Sequence, residues 1–152
     1  TDYGSFAMNA LRMEKMFKGA GELTNEVTLP EADVMRFVRL DKDFVGKDAT
    51  LASAQAERPW TCAYLVIEPE GDEDGHGGEA VLMDGEVVGS TASVAFGPTV
   101  GKILAFAYIQ PRAAAEGQAL EVIIQGRARR AVVATRPVYD PESVLPRADA
   151  AA

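Results

Sequence analysis

Hydrophobic and polar positions change their period once along this 152-residue chain, near Trp60. Before that point apolar residues recur at helical spacing. Over about Ser5 to Lys18, the residues Phe6, Ala7, Ala10, Leu11, Met13 and Phe17 share one stripe at about 100° per residue. The pattern predicts a helix, with Ser5 placed to cap its first turn and Gly19 to stop it in the left-handed conformation. Thr28-Leu29-Pro30-Glu31 has capping-box spacing and predicts a short helical turn before "RFVRL" goes extended, and "ATLASAQAE" favours helix by composition. After Trp60 the period falls to that of strands. "TCAYLVIEP", "EAVLM", "EVVGS", "ILAFAYI", "ALEVIIQ" and "RRAVVATR" are strand candidates, and Asp84-Gly85 marks a tight hairpin. Short strands joined by turns, without long intervening helices, predict an antiparallel barrel or sandwich. The tail "DPESVLPRADAAA" is expected to fray.

One residue breaks the first pattern. Glu14 falls near the middle of the apolar stripe, where an ionised carboxylate is costly unless donors meet it. Two solutions are open: an internal cation such as Arg36 or Arg39, or a ligand that offers two donors side by side, as heterocycles with adjacent ring N–H and amino groups do.

Composition narrows the class. A formal charge of -8 and a pI near 4.7 argue against nucleic acid or an anionic membrane as partner. The single cysteine, Cys62, excludes an intramolecular disulfide and a Cys-rich zinc site, and its apolar flanks suggest a strand. No apolar run reaches about 18 residues and no secretory leader pattern is present. The expectation is a soluble, cytoplasmic protein and, since it starts at Thr1 rather than Met, a piece of something longer.

Several motifs fail on inspection. Counted from Asp72 in "GDEDGHGG", His76 and Met83 fall at the fifth and twelfth positions, where an EF-hand loop needs acidic ligands, and His76 is the one histidine, so no metal site is assigned. A solvated acidic turn is the plainer reading, with a pocket-lining His76 as the other. "GPTVGKI" has the wrong spacing for a phosphate loop and reads as a turn between strands. "GRARR" places Arg127 and Arg129 on one strand face, expected to be solvated. No nucleophile elbow or catalytic triad is present, and no catalytic residue is assigned.

Taken in order, "LRMEK", "GELTNEVTLPEA", "RFVRLDKDFVGKDA", "DGEVVGSTAS", "GPTVGKILAFAYI" and "RPVYDP" resemble one family. From about Phe6 to Asp140 the chain is similar to the C-terminal part of the aminomethyltransferase (glycine cleavage T-protein) family. The nearest flavour is the folate-binding portion of FAD-dependent dimethylglycine and sarcosine dehydrogenases. The "DKDFVGKDA" block is the most specific. Two departures stand out: Thr28-Leu29-Pro30-Glu31-Ala32-Asp33 replaces the usual Thr-Pro-Leu-Glu-Ala-Gly, and Arg36-Phe37 stands where an aromatic is common.

The resemblance implies one-carbon transfer from an amine-bound adduct to tetrahydrofolate, giving 5,10-methylenetetrahydrofolate. It implies that Glu14 is the acceptor of the pterin's donors, that Arg36, Arg39 or Lys42 holds the folate tail, and that His76 lies near the folate cavity. The family's catalytic Asp and the FAD module would lie elsewhere in the parent polypeptide, so this piece alone is expected to be inactive and to bind folate poorly.

The expected architecture is α+β: a short helix and strand segment over 1–57, the end of a folate-binding core, then an antiparallel Greek-key-like β-barrel over 58–152. The expected partners are a folate, a small N-methylated amino acid and the rest of the parent chain, with no nucleic acid and no membrane. The alternative is a non-catalytic β-barrel that serves as an interaction or regulatory module, with Glu14 ion-paired internally.

Overall fold

Strands β1 (Thr61–Ile67) and β4 (Lys102–Ile109) read as continuous apolar runs because both of their faces are buried. In the computed structural model, which describes residues 2–71 and 75–148, they pair antiparallel, with Thr61 opposite Ile109 and Ile67 opposite Ile103. The remaining strands are β2 (Ala80–Met83), β3 (Glu86–Gly97), β5 (Ala119–Ile124) and β6 (Arg127–Ala134). They close a six-stranded barrel in the order β1-β4-β3-β2-β5-β6. β2, β3 and β4 form a meander, and the long β1–β2 connection lets β1 lie beside β4, which is a Greek-key path. Asp84 and Gly85 both take positive φ at the β2–β3 hairpin, as the sequence predicted. A register shift between Thr91 and Ser93 bends β3, the longest strand.

Alternation then divides the apolar residues into two cores. Ala63, Leu65, Ile67, Ala105, Ala107 and Ile109 point into the barrel with their counterparts from the other strands. Cys62, Tyr64, Leu104 and Phe106 point outward and pack with Met13 of helix α1 (Ser5–Glu14). The Tyr64 and Phe106 rings meet in a tilted arrangement, with centroids 5.4 Å apart. Burial pushes the Cys62 thiol up to about 12, so it is a packed apolar group rather than a nucleophile.

Helix α1 departs from its predicted form at both ends and on its face. Its N-cap is Gly4, without a side-chain cap, and Ser5 is its first helical residue. It stops at Glu14, short of the expected Lys18. Met16, at φ 57°, supplies the left-handed residue instead of Gly19. The Met16 N–H donates to the Met13 carbonyl and the Phe17 N–H to the Arg12 carbonyl, the paired bonds of a Schellman stop. Of the expected stripe, Ala10 and Met13 face the barrel. Phe6 remains 89% exposed, and Leu11 and Phe17 are exposed as well. The helix is apolar on two sides and the barrel covers one of them.

The Thr28–Glu31 capping box forms, with Glu31 Oε2 accepting from the Thr28 N–H at 2.8 Å. It caps one helical turn, in which the Ala32 N–H donates to the Thr28 carbonyl at 2.9 Å, and a 3-10 turn at Met35–Phe37 follows, so Arg36 and Phe37 are not extended as expected. Helix α2 (Lys47–Gln55) falls where composition placed it. No helix among the described residues is long and apolar enough to cross a membrane.

Phe106 joins α1 to the barrel's outer face. Phe106→Ala is expected to cost about 3–5 kcal/mol in urea unfolding, since it empties a fully buried aromatic site.

Candidate functional site

Two carboxylates are carried into the seam between α1 and the barrel: Glu14 at 1% exposure and Glu22 at 0%. Their surroundings differ. Glu22 receives the Arg12 guanidinium at 2.9 Å and the Gly19 N–H at 2.6 Å. Arg12 is itself fixed by Asn9 Oδ1 and the Phe17 carbonyl, and the Tyr108 hydroxyl donates to the Glu22 carbonyl. Glu22 is therefore satisfied within the protein.

Glu14 is not. Its Oε1 accepts one bond, 2.7 Å, from the Thr99 backbone N–H in the β3–β4 turn. No hydrogen bond to Oε2 forms among the described residues. Neither cation considered as its internal partner reaches it. Arg36 stacks on the Phe37 ring at 4.8 Å, and Arg39 pairs with Asp41 at 2.6 Å in an exposed position. The backbone around Glu14 is also anchored, since the Tyr64 hydroxyl donates to the Met13 carbonyl and the Tyr139 N–H to the Glu14 carbonyl. These bonds satisfy carbonyls that the end of α1 leaves open. Lys15 extends the tie, donating to the Asp140 carbonyl and to Ser143.

Two residues beyond Glu14, Met16 opens onto a cavity of about 550 Å³. Its walls are mainly apolar, with Phe17, Leu23, Leu29 and Phe37 among them, and the cations Lys18 and Arg36 stand at it. Glu14 does not line this cavity. Lys18 is held by Asp33 at 3.1 Å, whereas Arg36 also borders a second cavity of about 300 Å³. The structure thus brings Arg36 near the Glu14 turn and leaves Arg39 and Lys42 on exposed ground.

His76 lines a further cavity of about 320 Å³ between α1 and β3, with Phe6, Asn9 and Val94. Residues 72–74 of the acidic loop lie outside the described residues. The loop's other end is tied by Glu79, whose carboxylate accepts from the His76 and Gly77 N–H groups and from the Thr91 hydroxyl. Burial pushes the Glu79 carboxyl up, but these hydrogen bonds together outweigh it and hold the group below its ordinary value. The basic hairpin also departs from expectation. Arg127 is exposed, but Arg129 is 3% exposed, with its guanidinium 3.1 Å from Glu70. The nearby acid allows a strand-face arginine to be enclosed rather than solvated.

Sequence reasoning missed Glu22 as a second buried acid and Thr99 as the donor to Glu14. Arg12, two residues before Glu14, was a visible signal for a buried acid. Thr99 contributes a backbone N–H, which no residue type announces.

The architecture is a closed Greek-key barrel with a helix laid across its outer face and one buried acid, Glu14, at that helix's end. Residues 61–140 match the glycine cleavage T-protein C-terminal barrel domain, and the chain belongs to that family. It is 37% identical over 142 residues to the mitochondrial dimethylglycine dehydrogenase of Homo sapiens, covering 90% of this chain and 16% of that protein. Over 139 residues it is 34% identical to an aminomethyltransferase of Nostoc sp., covering 90% of this chain and 36% of that one. The crystal structure of glycine cleavage system aminomethyltransferase T from Bartonella henselae shares the fold, with TM-score 0.78 at 21% identity over 89% of this chain and 38% of that one. The chain spans well under half the length of each of these relatives.

Two outcomes test the electrostatics. Arg12→Met leaves Glu22 buried without its cation and is expected to cost about 3 kcal/mol, part of which Glu22→Leu restores in the double variant. For Glu79, a depressed folded pKa means stabilisation that is present above the ordinary carboxylate value and lost as pH falls through the folded one. Hydrogen-exchange protection of the His76 and Gly77 amides should therefore fall as pH drops below the ordinary carboxylate range, and Glu79→Gln should remove that dependence.

Proposed function

We propose that the chain is the C-terminal portion of a tetrahydrofolate-dependent aminomethyltransferase, fused to an FAD-dependent oxidoreductase of the dimethylglycine or sarcosine dehydrogenase kind. Residues 1–57 would complete a folate-binding core and 58–152 would form its barrel domain. The parent would pass a one-carbon unit from an N-methylated amino acid to tetrahydrofolate. A cytoplasmic location belongs to the same proposal, while the human relative is by name mitochondrial.

The observation that carries the reading is Glu14: a carboxylate buried to 1% with one internal donor, while its neighbour Glu22 has a full set. A pterin ring presents an amino group and a ring N–H side by side, which matches what a carboxylate with a spare oxygen needs. The apolar cavity that opens beyond Met16 would take a part of the ligand further from Glu14 than the ring, with Arg36 there as a cation for its carboxylate tail. Arg39, Lys42 and His76 remain candidates for the outer parts of the ligand. Glu14 orients the ring in this reading, and the proton transfers fall to residues elsewhere in the parent. FAD would belong to the parent's oxidoreductase module, where it would accept the electrons taken from the amine. The exposed Tyr3, Phe6, Leu11, Phe17, Phe37 and Val45 support a large apolar partner, as the rest of a longer polypeptide would be.

Titration of the parent-length protein with tetrahydrofolate tests the reading. Glu14→Gln is expected to weaken binding about 10- to 100-fold, the range for a hydrogen bond to a charged group. Unchanged affinity would favour a non-catalytic β-barrel module in which Glu14 serves the barrel alone.

A further inference from the structure

Gly97 and Thr99 stand on either side of Pro98 where β3 turns into β4, and both meet Glu14. The Thr99 N–H donates to Oε1 at 2.7 Å. A Cβ built on Gly97 would lie 3.0 Å from Glu14 Cγ, 3.0 Å from Oε1 and 3.0 Å from Leu104 Cδ1. Those contacts are tighter than packed atoms normally accept, so any side chain at 97 displaces the carboxylate or the core leucine. The turn itself is braced, with the Gly101 N–H donating to the Gly97 carbonyl at 2.8 Å and Val100 packed against the outer core. A barrel turn, distant in sequence from α1, thus fixes both the room and the rotation available to the Glu14 carboxylate.

We propose that Gly97 and the Thr99 backbone N–H are positioning elements for ligand recognition, holding Oε1 so that Oε2 is presented to the ring donors of the bound pterin. The inference rests on the folate reading above and adds to it a division of labour between the two oxygens. Thr99 acts through its backbone and its side chain is exposed, so the residue type at 99 matters only where it removes the N–H. At 97 what matters is the absence of a Cβ. Orientation set before binding spares the ligand the cost of ordering the carboxylate.

The test uses the parent-length protein and two ligands, tetrahydrofolate and its 2-desamino analogue, which lacks the exocyclic amino donor. The readout is the affinity ratio between them. The unsubstituted protein is expected to prefer tetrahydrofolate by about tenfold or more, and Glu14→Gln to abolish the preference. Thr99→Pro, which deletes the N–H, and Gly97→Ala, which crowds the carboxylate, should each shrink the ratio severalfold. Thr99→Ala keeps the N–H and should leave the ratio unchanged. A general loss of structure would weaken both ligands alike and would not move the ratio. The Thr99 amide resonance supplies a reading that needs no strained variant: it should shift markedly between the unsubstituted protein and Glu14→Gln.

If the unsubstituted protein shows no preference, the folate reading itself fails. If that preference exists and depends on Glu14 but survives Thr99→Pro and Gly97→Ala, or if the Thr99 amide is indifferent to Glu14→Gln, the positioning proposal is overturned while the folate reading stands.

Discussion

The outer faces of β1 and β4 carry Cys62, Tyr64, Leu104 and Phe106, and this surface has to be kept from water. Helix α1 does so by laying Met13 against it, and the rest of the N-terminal segment is arranged around that contact. The same rotation that buries Met13 carries Glu14 into the seam, and the Schellman stop at Met16 bends the chain so that Glu22 enters it as well. Two carboxylates are thereby enclosed against an apolar sheet. One is neutralised by Arg12, and the other is given a single backbone N–H from the β3–β4 turn. The closing segment completes the clasp through Tyr139 and the Lys15–Asp140 contact.

The two acids of this seam therefore differ in how much of their bonding the protein itself supplies. An acid with a guanidinium and an N–H belongs to the fold. An acid with one donor keeps a second oxygen that no described residue bonds, and that oxygen can accept from something else. The exposed side of α1 has a similar logic. Leu11 shares a helix with Met13 but is exposed, Phe6 is 89% exposed at the rim of the cavity between α1 and β3, and Phe37 and Val45 are exposed on the segment that follows. A domain that spans 16% of one relative and 36% of another is expected to show such surface where the relatives have more chain. The family assignment rests on the barrel, and the folate proposal rests on the N-terminal segment that covers it.

The strands were legible in the sequence because each physical cause is local. Asp84-Gly85 declares its hairpin, and the continuous apolar runs of β1 and β4 announce burial on both faces. The end of α1 was not legible. Met16 is not a residue that propensity places in the left-handed region, and it is held there by the paired bonds to the Met13 and Arg12 carbonyls. Arg129 shows the same limit, since its burial depends on Glu70, which is remote in sequence. Glu14 stood out as a misplaced charge. Its actual partner did not, because a backbone N–H contributed by tertiary structure leaves no mark in the residue types.

The most direct measurement is a crystal structure of the parent-length protein with tetrahydrofolate bound. A Glu14 oxygen is expected within about 3 Å of the pterin's amino group or ring N–H, with the Thr99 contact retained on the other oxygen. A pterin seated elsewhere, with Glu14 still held by Thr99 alone, would contradict it.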